Sequence, residues 1–259
     1  MTSVKYRENM SLLDSILIDL QYPVHFDRLN TFVSDISGID SLAALVCLLK
    51  DNKSPTFIPT IVDVSCEYGE KESEFLRVTR DIHAAFSATN GRILPTIILD
   101  VNELWRRLVC IGIPDVVRKS NFYSPCIGCH LVFHIARIKL AQHLNLNKVI
   151  SGERELHGDK EKINQLDFVL DFYNSIYDRY EIKHIQPVRG IRNRSEIDAM
   201  IAGYGIDPVD VKCLFSRNYY KTNTNVLDVE REDIAKYLTL LQETLETPQA
   251  PVQIKCRVL

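Results

Sequence analysis

The chain has 259 residues, 46% of them hydrophobic and 25% charged, and a formal net charge of −3. That length holds one large α/β domain, or one domain with small appendages, and the near-neutral balance excludes a global basic field for nucleic acid. No apolar run approaches the roughly 18 residues that a bilayer-spanning helix needs.

The opening stretch, MTSVKYRENMSLLDSILIDLQYP, keeps Asp14 and Asp19 inside its apolar pattern and has no small-residue cleavage site. It reads as an amphipathic helix rather than a signal peptide. LNTFVSDIS follows as a short strand with β-branched residues. Residues 41–50 set Leu42, Leu45, Val46 and Leu49 on one helical face. TFIPTIVDVS is a second strand, where Pro59, lacking an N–H, suits an edge or a strand's beginning. Residues 72–88 are helical through Phe75, Val78, Ile82 and Phe86. ILPTIILDV is a third strand and NELWRRLVCIGI a short helix.

CHLVFHIARIKLAQHLN is a further helix, and KVISG a short buried strand. Residues 164–178 are helical, HIQPV is a short strand, and RSEIDAMIAGYG is a helix closing on glycine. Residues 226–245 form the last helix, before a proline-containing tail, TPQAPVQIKCRVL, expected to wander. Strands alternating with helices predict a single α/β domain: a doubly wound, mostly parallel sheet with helices on both faces. Its expected limits are a helical extension over 1–28, the α/β domain over 29–220, and a helix and tail over 221–259. Such sheets bind ligands beyond the carboxyl ends of the strands, where strand order reverses. Ser34 to Ser41 stand there if the first strand is central.

In DISGIDS, Ser37 and Gly38 are followed by Asp40 and Ser41 at a helix entrance. Unpaired N–H groups at a helix N-terminus attract anions. Gly38 permits close backbone approach, Ser37 and Ser41 add hydroxyls, and Asp40 can hold a metal ion that accompanies a phosphate. A plain capping turn accounts for the same residues. The turn has neither the lysine of the G-x-x-x-x-G-K-[ST] loop nor the G-x-G-x-x-G pattern.

SPCIGCHLVFH puts Cys126 and Cys129 just before a helix, with His130 and His134 behind them. Two thiols at this spacing can face one ion, and a helix N-terminus lowers their pKa. A zinc half-site, a redox pair and an iron–sulfur half-site all fit. Cys213 lies far downstream in a candidate loop. Cys47 falls on an apolar helix face, and Cys66, Cys110 and Cys256 stand at no recognisable ligand spacing. Seven cysteines without a secretory signal suit reduced thiols in a cytosol.

The order strand, S-G-G-x-D-S, helix resembles the signature of the N-type ATP pyrophosphatases, the PP-loop enzymes. Here Ile36 and Ser37 replace the first serine and first glycine, and Gly38, Asp40 and Ser41 match. Within that superfamily the chain looks like the tRNA 2-thiocytidine sulfurtransferase group. Cys126 and Cys129, then KVISGER, then IQPVRGIRNRSEI, then Cys213 follow its motif order over residues 29–220. The resemblance implies a Rossmann-like fold, ATP and Mg2+ over residues 37–41, and Asp63 near the adenosine. It also implies a [4Fe-4S] cluster held by Cys126, Cys129 and Cys213 with one iron open to carry sulfur. Zinc held by the three cysteines with His130 or His134 is the rival.

After the fourth strand the group carries G-H-x-x-D-D; here Gly152 is followed by Glu153, Arg154, Glu155 and His157. Arg154 suits phosphate charge, and a carboxylate suits magnesium or proton transfer; a solvated charged loop is the plain alternative. Arg189, Arg192 and Arg194, with Arg106, Arg107, Arg118 and Lys119, suggest a basic rim for phosphate or RNA, or an ordinary charged surface. The expected activity is ATP-dependent adenylation followed by thiolation of a small molecule or tRNA, with a separate sulfur donor. A homodimer is a further expectation. A ligase or nitrogen-transfer enzyme with structural zinc, and a non-catalytic nucleotide-binding protein, are the alternatives.

Overall fold

The computed structural model describes residues 10–22, 24–51, 54–87, 89–158, 161–215 and 228–259. A single helical turn, α1 (Leu12–Ser15), is capped by Ser11 Oγ, which accepts from the Asp14 N–H at 3.1 Å, and passes directly into β1 (Ile16–Asp19). Then come β2 (Thr31–Asp35), α2 (Ile39–Asp51), β3 (Thr56–Asp63) and the two-residue β4 (Glu67–Tyr68). Next are α3 (Lys71–Phe86), β5 (Arg92–Ile93), β6 (Ile97–Asp100) and α4 (Asn102–Trp105), followed by a wide turn at Arg106–Cys110. α5 (Ile113–Ser120), α6 (Pro125–His143), β7 (Lys148–Ile150) and α7 (Asp167–Arg179) continue the chain. β8 (Lys183–Ile185), α8 (Arg194–Ile201), β9 (Lys212–Cys213), α9 (Arg231–Glu246) and β10 (Val252–Val258) complete it.

The main sheet runs β1-β10-β6-β3-β2-β7-β8, and β5 adds beside β3. All pairings among β2, β3, β5, β6, β7 and β8 are parallel; β10 is parallel to β1 and antiparallel to β6. The chain builds outward from β2 through β3 to β6, then returns to lay β7 on the other side of β2. The reversal between β2 and β7 opens a crevice at their carboxyl ends, where such sheets hold ligands. Alternate residues of the central strands serve two cores: Val33, Ile58 and Val62 join α6, α7 and α9, while Phe32, Phe57 and Ile61 join α2, α3 and α8. Helices therefore cover both faces, as predicted.

Three expectations are corrected. Among the described residues, the N-terminal stretch is helical only over Leu12–Ser15; Ile16–Asp19 is a strand, with Ile16 buried and Leu17 exposed at a period of two. The C-terminal tail does not wander: Val252 and Ile254 point inward and Gln253 and Lys255 outward, and β10 lies between β1 and β6. Both terminal segments thus extend the sheet. Pro59 sits in a central strand, opposite Ser34 of β2. On the other side of β3, β5 pairs with Thr56 and Phe57 and β6 starts only at Thr60, so Pro59 falls in the gap where no donor is needed. No described helix is long and apolar enough to cross a membrane.

Candidate functional site

The turn after β2 lines a cavity of about 390 Å³ with Ser37, Gly38, Asp40 and Ser41. Asp35, the last residue of β2, organises it. Asp35 Oδ1 accepts from the Ser37 N–H (3.1 Å) and Ser37 Oγ (2.9 Å), and Oδ2 accepts from Ser41 Oγ (2.6 Å). Arg137, on α6 and 3% exposed, donates from Nη2 to Asp35 Oδ1 at 2.6 Å. The two serine hydroxyls, expected to face a phosphate, are committed to Asp35. The backbone N–H groups at the start of α2 remain the anion-binding feature.

Gly152, just past β7, lies against this turn: a Cβ there would sit 2.1 Å from Ser41 N and 2.3 Å from Asp40 C. Only glycine permits that approach. Arg154 does not line the cavity; its Nε stands 3.3 Å from Asp40 Oδ1 and its Nη1 donates to Arg192 O at 3.2 Å. It therefore positions Asp40; the cations on the cavity wall are Lys162, Arg137, which is paired with Asp35, and Arg194, which is paired with Asp198. Asp40 Oδ1 is buried without a directed hydrogen bond.

A second cavity of about 210 Å³ is lined by Cys66, Cys126, Cys129 and Cys213. Ser124 caps α6, its Oγ accepting from the Ile127 N–H at 3.3 Å, and sets Cys126 and Cys129 in the first turns of that helix. Cys213 arrives through β9, which pairs antiparallel with β4 so that Glu67 faces Cys213. The Leu214 N–H donates to Cys66 O at 2.8 Å, which places Cys66 beside it. Cys66 Sγ is 3.8 Å from Cys129 Sγ, and Trp105 Nε1 donates to Cys129 Sγ at 2.9 Å. Burial, then the neighbouring Cys213, pushes the Cys126 thiol up to about 11. The Cys66 thiol is pushed up as well, chiefly by its contact with Cys129.

The two cavities adjoin: Glu67, His130, Phe133, Lys162 and Gln165 line both. Glu153 is 6% exposed and faces the larger one. It accepts from Gln165 Nε2 (2.6 Å) and contacts His130 Nδ1 (2.9 Å) and His134 Nε2 (3.2 Å). Burial raises its carboxyl, but the two imidazoles outweigh this and hold it well below the usual range. Burial pushes the imidazole of His134, fully enclosed and touching Tyr177 Oη at 3.0 Å, below its usual range, against the pull of Glu153. Burial pushes the Glu67 carboxyl up to about 7, against the pull of Lys71. Of these two glutamates, Glu67 is suited to move a proton near neutrality and Glu153 to remain an anion.

Asp63 ends β3 and binds Lys71 Nζ at 2.7 Å, off both cavity walls. Most of the expected basic rim is paired internally: Arg106 and Arg107 with Glu103, Arg118 with Asp115, Arg189 with Glu155 and Asp171, and Arg194 with Asp198. Of the KCLFSRNYY stretch, residues 216–220 lie outside the described residues. Sequence reasoning passed over Asp35, Cys66, Glu67, Arg137 and Lys162. Asp35 closes β2 and Glu67 opens β4, and nothing in the spacing marked either of them, or Cys66, as a site residue.

No family model matches the chain. It is similar to an uncharacterized protein of Methanocaldococcus jannaschii, 29% identical over 216 residues, which is 80% of this chain and 74% of that one. Among solved structures, a 4-thiouridine synthetase in complex with RNA and with bound ATP matches with a TM-score of 0.53 at 21% identity. That match covers 89% of this chain and 55% of the synthetase chain, so the chain spans about half the length of that structure. A predicted subunit of a tRNA methyltransferase from Methanocaldococcus jannaschii matches with a TM-score of 0.37 and 14% identity, over 88% of this chain and 95% of that one. The architecture shared with the synthetase is the one that the PP-loop resemblance implies, and the chain has that fold.

Proposed function

We propose that this chain, which has the PP-loop fold, is an ATP-dependent enzyme that adenylates a carbonyl oxygen of its substrate and then replaces that oxygen with sulfur. The observation that carries the reading is the wall common to the two cavities, with Glu67, His130, Phe133, Lys162 and Gln165 belonging to both. A nucleotide over the turn and a sulfur held among the thiols would meet there, without passage through bulk water.

The residues present suit both groups. The cavity over the turn offers the first amides of α2, the wall cations Lys162 and Arg194, and the buried acceptor Asp40 Oδ1 for Mg2+. The thiol donor set of the smaller cavity is the one that iron–sulfur clusters and zinc take. When bound by the cysteines, a [4Fe-4S] cluster would present sulfur at the level of hydrosulfide. The substrate oxygen attacks the α-phosphorus of ATP, and pyrophosphate departs with the bonding electron pair. A hydrosulfide would form the carbon–sulfur bond as the carbon–oxygen bond to AMP breaks, and Glu67 is placed to take the proton that the sulfur loses. No net oxidation or reduction occurs. Glu153 holds His130 toward the reacting centre, and Phe133 excludes water.

The neighbouring synthetase structure contains RNA, so a tRNA base is the first substrate to test, with small carbonyl metabolites as the second arm. Anaerobically purified protein is incubated with Mg2+, ATP, sulfide and each substrate. AMP and pyrophosphate formed in equal amounts with a thiolated product support the reading. ATP binding without AMP formation for every substrate overturns it in favour of a nucleotide-binding protein. A second reading, amide or nitrogen transfer beside structural zinc, draws on the Cys66–Cys129 separation of 3.8 Å, one edge of a tetrahedron with zinc–sulfur bonds of about 2.3 Å. No three of the described thiols stand within 4.8 Å of one another, so the others would have to draw in on the ion. Zinc without iron or sulfide in the purified protein would select it.

A further inference from the structure

We propose that Cys66 is a fourth thiolate of the metal site, joining Cys126, Cys129 and Cys213 around one bound group. This rests on the reading of the smaller cavity as a metal site, and it changes the expected three-cysteine arrangement. The four cysteines come from three separate places: the stretch after β3, the first turns of α6, and β9. The antiparallel β4–β9 pairing, with Glu67 opposite Cys213 and Leu214 bonded to Cys66 O, is what delivers two of them together. Cys66 is 2% exposed and its sulfur lies 3.8 Å from Cys129 Sγ.

A buried cysteine is often only a small apolar residue. Here that account fits Cys47, which contacts Met200, and Cys256, which donates to Ile254 O, neither of them on this cavity. It does not explain four thiols converging on about 210 Å³. Trp105 adds an indole N–H aimed at Cys129 Sγ, the kind of donor that stabilises charge on a metal-bound sulfur. Four protein thiolates complete the coordination of either zinc or a [4Fe-4S] cluster. An open position for sulfur then exists only when one thiolate lets go. Cys66 is suited to do so, because it stands on the small β4–β9 ribbon side and the CxxC pair on a long buried helix.

The test compares anaerobically prepared wild type with Cys66→Ala, Cys66→Ser and Cys256→Ala by metal content, X-ray absorption at the metal edge, and metal release to a chelator. If Cys66 is a ligand, both Cys66 variants show fewer sulfur neighbours and release metal about tenfold faster or more, while Cys256→Ala matches wild type. The serine variant keeps the side-chain volume should the alanine variant fold poorly. If the Cys66 variants retain the wild-type sulfur count and release rate while Cys126→Ala is empty, Cys66 is not a ligand and the metal reading survives. If wild type itself carries no metal after anaerobic preparation, both fall together.

Discussion

Replacing Gly152 with alanine tests the geometry on which the nucleotide site depends. The added Cβ would lie 2.1 Å from Ser41 N, 2.3 Å from Asp40 C and 2.4 Å from Ser41 Cα. Ordinary carbon contacts run at about 3.5–4.0 Å, so the β7 loop and the turn must part by more than about 1 Å. All three obstacles are backbone, and the turn is anchored through Asp35 to the buried Arg137, so no flexible side chain can yield. Overpacking of this kind costs about 1–3 kcal/mol, and displacing a positioning group by ~1 Å costs about 100-fold in rate. Urea unfolding of Gly152→Ala should show a lower midpoint at unchanged m-value, and calorimetry an ATP affinity reduced about tenfold or more. An alanine variant within about 0.5 kcal/mol of wild type that binds ATP normally would refute the close approach of β7 to the turn.

Asp40→Ala should weaken Mg2+-dependent ATP binding by about tenfold, or ~1.4 kcal/mol; unchanged affinity would make the turn a helix cap alone. Arg137→Met strands the Asp35 carboxylate and should cost about 3–5 kcal/mol in chemical denaturation, with Asp35→Asn recovering part of it in a double-mutant cycle; additive losses would show that the pair does not interact. His157 is pushed down to about 4 by burial, then by Lys162 and Arg154, against about 6.5 unfolded. The fold favours its neutral ring, so its contribution is complete above pH 6.5 and is lost as pH falls toward 4. Screening at this half-buried site reduces the effect to about 1–2 kcal/mol. His157→Gln should therefore flatten the stability profile in that window, and a variant that tracks wild type from pH 6.5 to 4 would remove His157 as the cause.

The central strands and the turn after β2 were legible because both signals are local: an apolar strand, small residues, then helical periodicity. The CxxC pair was legible for the same reason. Cys66 was not, since its partner Cys129 is 63 positions away and the two meet only through tertiary packing. The pairing of Arg189 was hidden in the same manner, because its partners lie 34 and 18 residues upstream, whereas Arg106, Arg107, Arg118 and Arg194 pair only three or four residues away. At the N-terminus a four-residue strand is too short for periodicity to separate it from a helix. The V-Q-I-K-C-R-V alternation of β10 was present to be read, and the prolines before it obscured it.

Cys126 and Cys129 begin a 19-residue helix anchored in the core, whereas Cys66 and Cys213 flank a ladder of only two residues per strand. So short a ladder holds little by itself. Whatever the thiols grip would act as a latch between a fixed jamb and a light door. Vacating it would free the door long before the molecule as a whole gives way, so deuterium uptake at the Leu214 amide, bonded to Cys66 O at 2.8 Å, would serve as an occupancy gauge.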